Sequence, residues 1–166
     1  GVSPHFIPKM IPNIAGGQIA IKHGFHGLNF SLSTACSSAS DAIGMAYRLI
    51  QSNQIHAMVC GGSEGGITPL TLSGFSNMKA LSKNNGDPKG ASKPFDKNRD
   101  GFIMSEGSAM LVLESLDNAQ KRGANILAEI IGYGITNDAY HITQPHNKST
   151  GATNAIQLAL KDGAIN

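Results

Sequence analysis

Charge is scarce in this chain: 14% of its 166 residues are Asp, Glu, Lys or Arg, and the net charge is only +2, with the cations scattered. That excludes, on electrostatic grounds, the concentrated basic surface on which a nucleic-acid binder relies. No run of 18 apolar residues occurs, so nothing reads as a membrane-spanning helix. The start, Gly1-Val2-Ser3-Pro4, has neither the charged nor the apolar region of a secretory leader, and a soluble, non-secreted protein is expected. Cysteine is also scarce. Cys36 and Cys60 are too few for a disulfide framework, which makes a reducing compartment the economical assumption. The chain does have glycine, 20 residues of it, and an apolar fraction of 40%, enough for a substantial core threaded by tight turns.

The stretch that organises the rest is Thr34-Ala35-Cys36-Ser37-Ser38-Ala39. Before it, Leu28, Phe30 and Leu32 alternate with Asn29, Ser31 and Ser33, which predicts a strand over Gly27 to Thr34. After it, Ala39, Ile43, Ala46, Tyr47 and Ile50 recur at helical spacing, with Asp41, Arg48 and Gln51 between them. Cys36 therefore falls at a strand-to-helix junction. The positive end of a helix dipole favours a thiolate there, and small neighbours leave the sulfur approachable. The alternative is a cysteine acting as a small buried hydrophobe without chemistry.

Elsewhere the pattern alternates strand and helix. Ser3 to Pro8, bracketed by prolines, is expected to be extended or turning, with Phe6 and Ile7 as apolar anchors. Asn13 to Ile21 has helical spacing, and its paired glycines predict close packing against another backbone. His23 and His26 follow in a turn with no carboxylate or thiol nearby, so a solvated turn is favoured over a metal site. Ile55 to Cys60 reads as a buried strand entering a glycine turn, Gly61 to Gly66, with Cys60 an inert core thiol. The Lys-Ser/Thr that closes a phosphate loop is missing there, which argues against nucleotide binding. A helix over Pro69–Met78, a long surface loop over Lys83–Asp100, a second buried strand over Met110–Glu114 and a helix over Ser115–Arg122 come next. Ile126 to Ile135 reads as a strand, Thr136 to Ser149 has no period, and Thr150 to Leu160 reads as a closing helix. The whole predicts α/β layers.

The chain carries, in order, Thr34-Ala-Cys36-Ser-Ser38, Cys60-Gly-Gly-Ser-Glu64, Gly74-Phe75, Lys79-Ala-Leu81-Ser82, Pro94-Phe-Asp96-Lys-Asn-Arg99-Asp100-Gly101-Phe102, Glu106-Gly107, Ala119-Gln-Lys-Arg-Gly123-Ala124 and Asp138-Ala-Tyr-His141-Ile-Thr143. In these stretches it resembles the β-ketoacyl-acyl carrier protein synthases, and most closely the elongating type, I or II. The resemblance implies a thiolase-like layered α/β/α/β/α fold, of which this chain is the middle portion. Residues 1–122 would form the latter part of the N-terminal half, carrying the nucleophile, and residues 123–166 the start of the C-terminal half. The family's Asn-Ala-His-Gly-Thr, Thr-Gly-His and Gly-Phe-Gly-Gly-Thr-Asn motifs do not occur, so the two catalytic histidines and one oxyanion donor are expected from outside this segment.

By the same resemblance, Cys36 carries the acyl chain and Phe75 lines the acyl tunnel, with Phe6 and Ile7 reaching in from a partner subunit. His141 and Thr143 belong to a loop near the mouth of the site. Each apolar residue is also a plausible core residue, with the lining role favoured for Phe75 because it stands in an otherwise small-residue run, and Lys79 and Lys83 can meet an acidic carrier protein or simply be solvated. The implied reaction is a decarboxylative Claisen condensation in fatty-acid synthesis, with substrates carried on the phosphopantetheine of acyl carrier protein and no other cofactor. A homodimer is implied, in the cytoplasm of a bacterium or in a plastid or mitochondrion. Competing readings are a polyketide ketosynthase, a non-catalytic chain-length partner, in which the nucleophile is replaced, and a cysteine hydrolase, for which no supported histidine stands out.

Overall fold

The computed structural model describes residues 1–165. Its elements run α1 (Phe6–Met10), α2 (Ile14–His23), a 3-10 turn (Ala35–Ser37), α3 (Ser38–Gln51), β1 (Ala57–Glu64), α4 (Pro69–Asn77), β2 (Gly107–Glu114), α5 (Leu116–Lys121) and α6 (Thr150–Asp162). β1 pairs with β2. The Ser115 N–H donates to the His56 carbonyl at 3.1 Å, joining the end of β2 to the start of β1, so the two strands are antiparallel.

The chain forms two compact units. The first comprises Gly1–Gly61 and Leu111–Asn166. In it α3 buries Ala46 and Asp41 and carries Gly44 at the point where Tyr133 packs; a Cβ at Gly44 would lie 2.2 Å from the Tyr133 ring. The segment around Tyr133 is held by side chains. Tyr133 N–H donates to Asp162 Oδ2 at 2.9 Å, its carbonyl accepts from Arg48 Nη2 at 3.2 Å, and the Ile131 carbonyl accepts from Tyr47 Oη at 3.2 Å. Arg48 and Asp162 close the arrangement with an ion pair at 2.7 Å. Gly132 and Gly134 let this segment reach the backbone of α6, since Cβ atoms there would meet the carbonyl oxygens of Ala159 and Ala155 at 2.2 and 2.1 Å.

The second unit is Gly62–Met110. α4 begins with proline at its first position, behind a Thr68 cap whose hydroxyl oxygen accepts from Thr71 N–H at 3.2 Å. Leu81 and Phe102 form an isolated bridge, and Asp100 accepts from Ser82 Oγ at 2.6 Å and from Lys83 N–H at 2.9 Å. Residues 83–100 form the long loop the composition predicts.

The helices expected after Thr34, at Pro69, at Ser115 and at Thr150 are present, as are the strands before Cys60 and Glu114, although the second strand is not buried as expected, with Met110, Leu111 and Val112 exposed. Four other expectations are corrected. Ser3 to Pro8 is not extended throughout: α1 starts at Phe6, because Pro8 sits in its first turn, where a missing N–H costs nothing. β1 does not stop at Cys60 but continues through Gly61, whose φ of +151° is available to glycine, and on to Glu64. Gly27 to Thr34 forms no strand, since alternation marks faces without supplying a hydrogen-bonded neighbour, and none exists among the described residues. Leu28 and Phe30 are 56% and 42% exposed. Ile126 to Ile135 also forms no strand; its backbone groups at Ile131 and Tyr133 are taken by Tyr47, Arg48 and Asp162 instead of a ladder.

Candidate active site

Cys36 lies in the 3-10 turn that leads directly into α3, and its side chain is exposed. The residue before it, Ala35, has φ +51°, a left-handed conformation that costs a non-glycine residue about 1 to 3 kcal/mol and that persists only where neighbours enforce it. Thr34, at φ −132° and ψ 41°, precedes it in neither helical nor extended backbone, so the chain bends at two successive residues before the nucleophile. Cys60 is the opposite case. It sits on β1, 6% exposed, and burial pushes its thiol pKa up, which keeps it protonated and unreactive.

The neighbours that enforce the turn are polar. Thr34 Oγ1 donates to Asp41 Oδ2, and Ser37 Oγ lies 2.9 Å from the same oxygen and 3.0 Å from Thr34 Oγ1. From the other side, Tyr133 Oη donates to Asp41 Oδ1 at 2.7 Å. Ser38 Oγ accepts from Thr34 N–H at 2.9 Å and donates to the Ala35 carbonyl at 2.8 Å. The carboxylate of Asp41, 6% exposed, is thus satisfied by hydroxyls alone. The bond from Thr34, followed by that from Tyr133, holds its pKa below the ordinary value, while burial and then the Asp41 bond push Tyr133 up to about 12.

The other expected site residues fall in several places. Phe75 is half-buried on α4 in the second unit, edge-on to Phe102 with ring centroids 5.1 Å apart. Phe6 and Ile7 are exposed on α1. His141 and Thr143 come together: His141 Nδ1 accepts the N–H groups of Thr143 and Gln144, both at 3.1 Å, which assigns the proton of the neutral ring to Nε2. Among the described residues no hydrogen bond joins a histidine to the Thr34–Asp41 web, and no group of metal-ligating side chains occurs.

Asp41 and Tyr133 escape a reading of the sequence. Asp41 looks like one more polar residue on a solvated helix face, and Tyr133 like one apolar residue in a predicted strand. The available signal is an acid one turn into a helix whose start is Ser-Ser and whose next turn carries Gly44, a gap of ring size.

A family model described as the β-ketoacyl synthase N-terminal domain matches residues 1–119. The chain is 53% identical over 163 residues to 3-oxoacyl-[acyl-carrier-protein] synthase 2 of Synechocystis, covering 98% of this chain and 39% of that protein. It is 48% identical over 164 residues to the protein of the same name from Staphylococcus aureus, covering 99% and 40%. Among solved structures, a β-ketoacyl synthase from Burkholderia phymatum superposes with a TM-score of 0.91 at 35% identity, over 99% of this chain and 40% of that one. A chain of a type II polyketide ketosynthase, in complex with its acyl carrier protein and bound to the hexaketide, superposes with a TM-score of 0.92 at 33% identity, over 99% and 41%. The chain thus spans about two fifths of the length of these relatives, in an α/β fold of the thiolase-like class. With its exposed cysteine on a strained turn and a matching domain model over most of its length, it belongs to the β-ketoacyl synthase family.

Proposed function

We propose that the protein containing this chain is an elongating β-ketoacyl-acyl carrier protein synthase of fatty-acid synthesis. The observation that carries the reading is the contrast between the two thiols: Cys36 exposed at the start of α3, Cys60 buried on β1. The Cys36 thiolate attacks the carbonyl carbon of an acyl thioester on acyl carrier protein, the carrier's phosphopantetheine thiolate leaves and takes up a proton, and the acyl chain rests on Cys36 Sγ. Malonyl carrier protein then loses carbon dioxide. The resulting enolate attacks the acyl carbonyl, the Cys36 thiolate is expelled, and 3-oxoacyl carrier protein is released. The Cys36 backbone N–H serves as one oxyanion donor, while the two catalytic histidines lie outside this segment.

Phe75 lines the acyl tunnel in this reading, a role its half-buried ring suits, and His141 and Thr143 shape the mouth. Lys79 and Lys83 border a cleft in the second unit with Leu72, Ser76 and Leu81, and serve as a contact for the acidic carrier protein. The protein is a homodimer in which the Gly27–Thr34 segment meets its twin and Phe6 and Ile7 approach the partner's acyl chain; the exposure of Leu28, Phe30, Phe6 and Ile7 supports this. The boundary between halves lies near Arg122, consistent with a domain match that ends at residue 119. A second reading, a polyketide ketosynthase, is favoured by the polyketide assemblies among the structural relatives.

The full-length protein tests this directly. With an acyl carrier protein thioester alone, mass spectrometry is expected to find the acyl group on the Cys36 peptide; adding malonyl carrier protein should release 3-oxoacyl product. A single-step product supports the fatty-acid reading, and successive ketide units the polyketide one. Undiminished turnover in Cys36→Ala would overturn both.

A further inference from the structure

The strained turn at Cys36 is held by groups outside its own backbone. Ala35 occupies a left-handed conformation, and nothing in its own side chain stabilises it there. The turn is instead tied from outside, by Thr34 and Ser37, whose hydroxyls flank Cys36 in sequence and converge on one oxygen of Asp41. The second oxygen of that carboxylate is held by Tyr133 at 2.7 Å. Tyr133 is fixed in turn, because its ring fills the space left by Gly44 on α3 and its backbone is clamped by Arg48 and Asp162. Asp41 therefore stands between the nucleophile turn and a rigid support drawn from α3, α6 and the Tyr133 segment.

We propose that Asp41 is a positioning residue for Cys36, acting as a hydroxyl acceptor that holds Thr34 and Ser37, and hence the backbone of the turn, in the arrangement from which Cys36 Sγ attacks a thioester. The proposal rests on Cys36 being the acylated nucleophile. Asp41 touches no reacting atom. Its depressed pKa keeps it an acceptor on both oxygens across the neutral range, so all three hydroxyls can donate to it at once. Tyr133 is the second member of the device, since it fixes the orientation of the carboxylate plane.

The role predicts a split between two reactions of the same sulfur. Acyl transfer from a thioester needs an oriented attack, whereas alkylation by a small reagent does not. In the full-length protein, Asp41→Ala is expected to slow acylation of Cys36 by octanoyl-coenzyme A by about tenfold or more, while alkylation of Cys36 by iodoacetamide changes less than about threefold. Asp41→Asn is the conservative rescue. Its amide oxygen can accept from Thr34 and Ser37 while its amide nitrogen donates to the Tyr133 oxygen, so acylation should return to within about threefold of the parent. Ser37→Ala in the Asp41→Ala background should add less than it does alone, because the bond to Asp41 is already lost and only the contacts of Ser37 Oγ with the Thr34 carbonyl and hydroxyl, at 2.9 and 3.0 Å, remain to be removed.

An Asp41→Ala protein that acylates at the parental rate overturns the proposal. So does an Asp41→Asn protein as slow as Asp41→Ala, which would make charge, not acceptor geometry, the operative property. Labelling of Cys60 reports unfolding; should Asp41→Ala label there, Thr34→Val and Ser37→Ala decide instead, with parental acylation in both overturning the role. Acyl uptake that survives in Cys36→Ala is a different failure, that of the nucleophile assignment itself.

Discussion

Cys36 and Cys60 share a chemistry and differ in surroundings, and the difference is measurable. Iodoacetamide on the folded protein should modify Cys36 while Cys60 stays unmodified until denaturant is added, because Cys60 is both covered and held protonated by burial. Peptide mapping by mass spectrometry checks this, and early label on Cys60 would reverse the assignment. The Asp41–Tyr133 pair gives a second residue-scale prediction, with opposite signs for its two members. Asp41 is depressed, so its contribution to stability is present above the ordinary carboxylate range and is lost as pH falls through its folded pKa. Tyr133 is raised to about 12, so its contribution is present below the ordinary phenol value and is lost as pH rises through the folded one. A spectrophotometric titration should show a phenolate forming near 12 that disappears in Tyr133→Phe. The place of Cys36 at a helix start was legible in the sequence because the helical periodicity after it is local, although the strand expected before it does not form. Asp41 was not, since its partner is 92 positions away and only folding brings the two together.

At the scale of elements, every helix but the short α1 was legible and two of the expected strands do not form. A helix closes its hydrogen bonds within itself, so spacing and caps such as Thr68 before Pro69 suffice to place it. A strand depends on a neighbour. Gly27 to Thr34 and Ile126 to Ile135 alternate as strands do, yet the second gives its polar groups to Tyr47, Arg48 and Asp162, and the glycines at 132 and 134 serve close contact with α6. α3 offers the sharpest test of this packing. On propensity alone Gly44→Ala should stabilise the helix by about 1 kcal/mol. A Cβ there would overlap the Tyr133 ring at 2.2 Å, so the ring must shift and its bond to Asp41 must break. The packing term wins, and Gly44→Ala is expected to destabilise by about 1 to 3 kcal/mol in urea denaturation. Pairing it with Tyr133→Ala, which opens the space, should remove most of that penalty.

On the scale of the whole molecule, the accessible surface is 12927 Å² at a mass of 17.3 kDa. A folded monomer of that mass exposes about 7,800 Å². Large apolar side chains contribute to it: Leu28, Phe30, Leu70, Val112, Leu127 and Ile142 all lie exposed, whereas the buried apolar residues among those described are Ala46, Cys60, Ala91 and Ala119. A chain with so little enclosed core cannot offset its conformational entropy by itself. The 166-residue chain expressed alone is therefore expected to associate, to bind a hydrophobic dye strongly and to scatter light at micromolar concentration. Its chemistry should fail in a particular order. Slow acylation of Cys36 needs only a thiol and a thioester, and should persist. Condensation needs hydrogen-bond donors aimed at a developing enolate, and the hydroxyls around the nucleophile turn already donate elsewhere, those of Thr34, Ser37 and Tyr133 to Asp41 and that of Ser38 to the Ala35 carbonyl. Loss of one such donor costs about a hundredfold to a thousandfold in rate. With an acyl donor and radiolabelled malonyl carrier protein, the isolated chain should thus acquire label-free acyl groups on Cys36 without releasing carbon dioxide. Steady release of carbon dioxide with 3-oxoacyl product would mean that a donor within this segment stabilises the enolate, and His141, whose Nε2 carries its proton when the ring is neutral, would be the first residue to replace.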